Sequence, residues 1–207
     1  RTEAFMAEAR VTGRAAAVVR IVDPGPEKAP PADPGEDGSG RDPGFVSVPW
    51  NPLSFASARA AVIEAETALG GSLDELVVFA DPPADLTGLV DLSPRDIERA
   101  ALAWAAGHAE LLREAAKRFA EKGGGAIVLV IAQAERGPLG AMAAGALAGL
   151  AEGLIAAGTA SFRFYAIKDE AAQADLLARH VLKTLDEPPR DPGKIQRFGR
   201  RAGFFGR

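Results

Sequence analysis

The 207-residue chain is 47% hydrophobic and 25% charged, with 24 basic and 28 acidic side chains and a formal net charge of −4. That is enough apolar material for one buried core in a single medium-sized domain, and the acidic balance argues against nucleic acid or an anionic membrane as the main partner. There is no cysteine, and the two histidines, His108 and His180, are far apart. Disulfides and thiolate chemistry are therefore excluded, a zinc site is not expected, and a cytoplasmic location is.

In chain order, Thr2 to Arg10 reads as a short helix and Ala15 to Val22 as a short, partly β-branched strand. Residues 23–44 hold six prolines, five glycines and six acids with no apolar face, which predicts a flexible loop. Phe45 to Val48 is a second strand candidate. After the turn at Pro49 to Pro52, Ser54 caps a helix through Leu69, with Ala58, Ala61, Val62, Ala65 and Leu69 at helical spacing. Gly70 and Gly71 end it.

Leu76 to Ala80 reads as a buried strand, and Asp81 to Asp85, with two prolines, as a loop. Ser93-Pro94-Arg95-Asp96 carries a cap, a first-turn proline and an acid that complements the helix dipole, so a long helix is expected through Glu121. The triplet Gly123 to Gly125 ends that helix and enters the most strand-like run, Ala126 to Ile131. This order is the reverse of a phosphate cradle, which follows a strand and opens a helix. A helix over Gly140 to Ala157, a strand over Ser161 to Ile167 and an amphipathic helix over Glu170 to Leu185 complete the body. The apolar run Leu139 to Ala160 is interrupted by Glu152 and rich in small residues, so it is expected to be a core helix and not a membrane span. The alternation predicts an α/β, three-layer fold with a mostly parallel sheet. One domain is assigned to residues 1–189. From Arg190 to Arg207 six basic residues stand against one acid, a net +5 that leaves −9 on the rest, and 190–207 is read as a basic tail.

Several phrases in this order resemble the short-chain dehydrogenase/reductase superfamily: Leu69-Gly70-Gly71-Ser72-Leu73-Asp74-Glu75-Leu76-Val77, Leu92 to Arg99, Gly124-Gly125-Ala126-Ile127-Val128 and Ala151-Glu152-Gly153-Leu154. The resemblance covers about residues 45 to 170 and implies a truncated Rossmann-like fold. It also implies a catalytic tyrosine four residues before a lysine, a serine after the fifth family strand, a helix asparagine and a glycine-rich turn that holds a dinucleotide. None falls where the resemblance puts it. Tyrosine is expected at Met142 or Ala144 and lysine at Ala146 or Ala148. The serine position is occupied by Ala132-Gln133-Ala134, and the asparagine region, Trp104 to His108, has none, since Asn51 is the only asparagine. The sole tyrosine, Tyr165, has Asp169 four residues on and Lys168 three residues on, in an expected strand. Val78-Phe79-Ala80-Asp81 replaces the family's Asn-Asn-Ala-Gly. No strand and glycine-rich turn precede Ala15, so the chain is expected to begin within or after that region.

The resemblance with these replacements predicts a non-catalytic subunit, without an NAD(P) cofactor, that acts as a scaffold or assembly partner. Its partner would be a second copy or a catalytically intact related dehydrogenase. Candidate interface positions are Gly140, Ala144, Ala148 and Ala151, whose small side chains admit a close helix. Arg197, Phe198, Arg200, Arg201, Phe204 and Phe205 in the tail join them, because arginine and aromatic residues are favoured at interface centres. The alternative is an atypical NAD(P)-dependent oxidoreductase with a shared or unrecognised site.

Overall fold

The computed structural model describes residues 1–21, 45–82, 86–132 and 137–199. The predicted loop at 23–44, Gln133 and Ala134, and Arg200, Arg201, Phe204 and Phe205 lie outside the described residues. The elements are α1 (Thr2–Val11), β1 (Ala16–Ile21), β2 (Phe45–Trp50), α2 (Phe55–Leu69), β3 (Glu75–Ala80), α3 (Pro94–Ala100), a π-helical segment (Ala101–Gly107), α4 (His108–Lys122), β4 (Ala126–Ala132), α5 (Pro138–Ala157), β5 (Arg163–Asp169), α6 (Ala174–Asp186) and β6 (Gln196–Phe198).

Local chemistry sets most of the boundaries. Ser54 accepts a hydrogen bond from the Ser57 amide at 3.4 Å, and Ser93 and Asp96 form a reciprocal capping box at the start of α3. Gly123 ends α4 in the left-handed conformation, φ 77°, which a side-chain-bearing residue rarely adopts. The predicted long helix is thus a continuous helical run, but its middle is π-helical. At the end of that segment Gly107 lies so close to the Pro52 carbonyl that a Cβ would overlap it.

All strand pairs are parallel, in two sheets: β1 with β2, and β3-β4-β5-β6 in that order. Helices cover both faces. On one, α2, α4 and α5 bury Val62, Leu111, Phe119 and Leu147 against Ile127, Leu129, Ile131, Phe164 and Ala166. On the other, α1 and α6 bury Ala9, Leu177, Val181 and Leu185 against Val128, Val130, Tyr165 and Ile167. Every residue of β4 is buried, as a strand covered on both faces requires. The chain therefore has the expected three-layer Rossmann-like α/β architecture.

Two readings of the C-terminal part need correction. The strand expected at Ser161 to Ile167 runs from Arg163 to Asp169, and the helix after it starts only at Ala174. Asp169 accepts from the Ala171 and Ala172 amides at 3.2 Å, and Ala172 has a positive φ of 51°, so the chain turns before it can helix. Residues 190–207 are not a tail throughout, because Gln196–Phe198 adds β6 to the sheet edge beside β5.

Candidate functional site

In open parallel α/β sheets chemistry gathers at the carboxyl ends of the strands. In this chain that edge carries Asp81 just beyond β3, Ala132 at the end of β4 and Asp169 at the end of β5. Arg1 joins the two acids. Its Nε donates to Asp169 Oδ2 at 2.7 Å and its Nη1 to Asp81 Oδ2 at 2.8 Å. The Asp169 side chain is fully buried, and the two backbone amides complete its hydrogen bonding. Both oxygens of this buried side chain therefore have hydrogen-bond donors. Nothing in the sequence singled out Arg1. Its role depends on β3 and β5 being one strand apart, and that separation exists only in the fold.

The other positions that the resemblance singled out do not converge on this edge. Tyr165 is buried on the α1/α6 face of β5. Lys168, three residues on, points to the opposite face by the alternation of a strand, so the two cannot form a tyrosine–lysine pair. It lines a cavity of about 360 Å³ with Glu152, Lys194 and Arg197. On α5, Met142 and Ala146 are exposed, Ala144 is buried and Ala148 half-buried. None of these four side chains can donate or hold a proton.

His108, the remaining candidate base, is 1% exposed. Its ring stacks on Trp104 at 5.0 Å, meets the edge of Trp50 at 5.1 Å, and its Nδ1 lies 2.9 Å from the Ala103 carbonyl. Burial pushes its pKa down, against the raising effect of that carbonyl. The neutral ring, donating from Nδ1, is the form this aromatic cage favours. His180 stacks on Phe198 at 5.3 Å, and burial lowers its pKa also.

The expected interface residues are placed differently from the expectation. Gly140, Ala144 and Ala151 are buried and Ala148 is half-buried, packing α5 within its own fold. The exposed stripe of α5 is Ala141, Gly145, Gly149 and Gly153, with Met142 and Ala146 beside it. By length and composition α5 is the one helix among the described residues apolar enough to cross a membrane, with mean hydropathy 1.6. Only a third of that window is buried, so most of the helix reaches the surface. Next to it stand α3 and the π-helical segment, which expose Ile97 and Leu102, and the preceding loop exposes Leu86, Leu89 and Val90. Arg197 and Phe198 belong to β6. Arg197 pairs with Glu170 at 3.4 Å and Phe198 stacks on His180, so both serve the edge of the sheet.

Between β1 and β3 a second, larger cavity of about 620 Å³ separates the two sheets. It is lined by β1 and β3 at its sides, by α1 on one face, and by Trp50, Val62, His108 and Leu111 on the other.

No family model and no curated protein matches this sequence. Solved structures do match its fold. A short chain dehydrogenase from Mycobacterium smegmatis superposes with a TM-score of 0.63 at 17% identity, over 76% of this chain and 71% of that one. A hydroxysteroid dehydrogenase from Escherichia coli gives 0.61 at 18%, over 74% and 73%. A 3-ketoacyl-(acyl-carrier-protein) reductase from Brucella melitensis, solved with NADH, gives 0.59 at 17%, over 74% and 75%. The chain has the short-chain dehydrogenase fold.

Proposed function

We propose that this chain is a non-catalytic member of the short-chain dehydrogenase fold whose work is association: a cytoplasmic scaffold or assembly subunit that pairs with a second copy or with a catalytically intact relative. The observation that carries this reading is the apolar surface formed where α3, the π-helical segment and α5 lie side by side. Ile97, Leu102 and Met142 are 38%, 43% and 38% exposed there, and the Gly145-Gly149-Gly153 stripe lets another helix approach closely. Fold alone assigns no activity. Supporting the non-catalytic part, alanine, methionine and half-buried alanine occupy the helix positions where the chemistry wants an acid and a lysine.

The carboxyl edge points the same way. The NADH of the Brucella melitensis reductase has an anionic pyrophosphate, whereas the exposed acid at this edge is Asp81, whose carboxylate, like that of the buried Asp169, engages Arg1. No cofactor-dependent step is assigned to these residues. Interface contacts are assigned to the exposed stripe of α5 in place of Gly140, Ala144, Ala148 and Ala151.

Two measurements test the reading. Titration of the purified chain with NADH and NADPH, followed by nucleotide fluorescence, is expected to show no saturable binding. Binding at micromolar concentration sinks the scaffold reading and favours the atypical oxidoreductase. Native mass of the protein purified from its own cells is expected to exceed that of one chain, and a stable monomer with no companion removes the association role.

A further inference from the structure

The smaller cavity, about 360 Å³, opens between the last turns of α5 and the edge of the sheet, where β5 ends and the chain enters β6. Its sheet side is cationic. The register of β5 and β6 sets Arg197 beside Lys168, and neighbouring strands lie only about 4.8 Å apart. Like charges side by side across a strand pair repel, and a nearby anion relieves the repulsion. Arg197 has such an anion in Glu170 at 3.4 Å, and Lys194 has Asp191 at 2.7 Å. Lys168 has none: it is half-buried and makes no hydrogen bond or ion pair among the described residues. The helix side carries the opposite charge. Glu152 lines the cavity from α5 and is likewise without a hydrogen bond or ion pair among the described residues. Ile155 and Ile195, both half-buried, add apolar surface, one from each side.

We propose that this cavity is a binding site for a free α-amino acid with an apolar side chain. Lys168 and Arg197 hold its carboxylate, Glu152 holds its ammonium group, and Ile155 and Ile195 take its side chain. Charge selects this class first. The cations Lys168, Lys194 and Arg197 are matched in number by the acids Glu152, Glu170 and Asp191, so the region is neutral as a whole. A neutral zwitterion suits it, whereas a polyanion would meet three carboxylates. Arrangement selects it next. The two charges without partners are of opposite sign, stand on opposite sides and do not reach each other, so one small molecule carrying both signs satisfies both at once. A carboxylate lying across Lys168 and Arg197 also accepts the forked hydrogen bonds that a guanidinium donates. Size agrees, since the volume lies at the small end of the range of small-molecule sites, about 300–1,000 Å³.

Calorimetric titration of the full 207-residue chain with valine, leucine and phenylalanine tests the site. Each is also offered as the analogue without its amino group and as the analogue without its carboxyl group. At least one of the three amino acids is expected to bind saturably, one molecule per chain, at millimolar concentration or below, and both of its analogues at least about tenfold more weakly. Lys168→Gln and Glu152→Gln are each expected to weaken that binding by at least about tenfold as well. Glu152 is exposed on α5, so its variant keeps the test decisive even where Lys168→Gln does not fold. Absence of saturable binding by all three amino acids overturns the proposal. So does binding of the deaminated analogue as tight as that of the amino acid, or its equal displacement by inorganic phosphate, either of which makes the cavity a plain anion site. Binding that survives both substitutions places the amino acid elsewhere and overturns it too. None of these outcomes depends on whether the chain binds a nucleotide or associates through α5.

Discussion

Gly107 and His108 stand side by side and show how single residues hold the contact between the β2–α2 turn and the long helical run. Any side chain at Gly107 drives into the Pro52 carbonyl, and backbone cannot swing away as a flexible side chain can. Gly107→Ala is expected to cost about 3 kcal/mol, the upper part of the range for overpacking, measured by chemical denaturation. His108, caged by two tryptophans, is held neutral. Its folded pKa lies below its unfolded value of about 6.5, so the unfolded chain binds the extra proton first and stability is lost as pH falls below about 6.5. Replacing His108 with Gln should flatten the slope of stability against pH between 7 and 5. His180, lowered in the same direction, contributes a remaining slope of the same sign, which the double variant should remove. The aromatic cage was not legible in the sequence. Trp50 and Trp104 are 54 residues apart in numbering; Trp104 and His108 are four apart on one helical run, but only the fold brings Trp50 to the same ring.

Among the elements, those with a local chemical signature were legible and those defined by their neighbours were not. Ser54, Ser93 and Gly123 mark helix ends by interactions within one turn, so α2, α3 and α4 begin or end where the sequence says. Ser93→Ala should lower stability by about 1 kcal/mol through loss of the capping box, read as a shift in denaturation midpoint at unchanged slope. β6 had no such mark. It is three residues long, polar at two of them, and exists because the edge of β5 offers it a partner. On α5 the spacing of small residues is visible in the sequence, yet which stripe faces the sheet depends on β4 and β5, and the stripe of Gly140, Ala144 and Ala151 is the buried one. The exposed stripe makes its own prediction: Leu102→Asp with Met142→Asp should convert any assembly to single chains by sedimentation, while Ala148→Ser, on the inward face, should leave the assembly intact.

For the whole molecule, the fold class was legible because strands and helices alternate, and the covered β4 stands out by composition alone. The division of the strands into two sheets was not, since it depends on what lies between β1 and β3. It implies that the molecule opens unevenly. Amides of β4 should be the last to exchange, close to global unfolding, whereas the β1–β2 pair should open as a separate unit at lower free energy, which exchange followed by mass spectrometry resolves.

Arg1 and Arg14 fasten α1 at opposite ends, each to two acids from different parts of the chain. All four acids belong to the four-stranded sheet, its flanking loop or α6, so this helix is clasped at both ends to that sheet and carries the start of β1 with it through the chain. Of the four acids it grips, only Asp169 is sheltered from water, so added salt weakens the Arg14 end and the Asp81 contact before it weakens the Arg1–Asp169 bond. The clasp would then release in a set order, swinging open from the amino edge while staying hinged at Asp169.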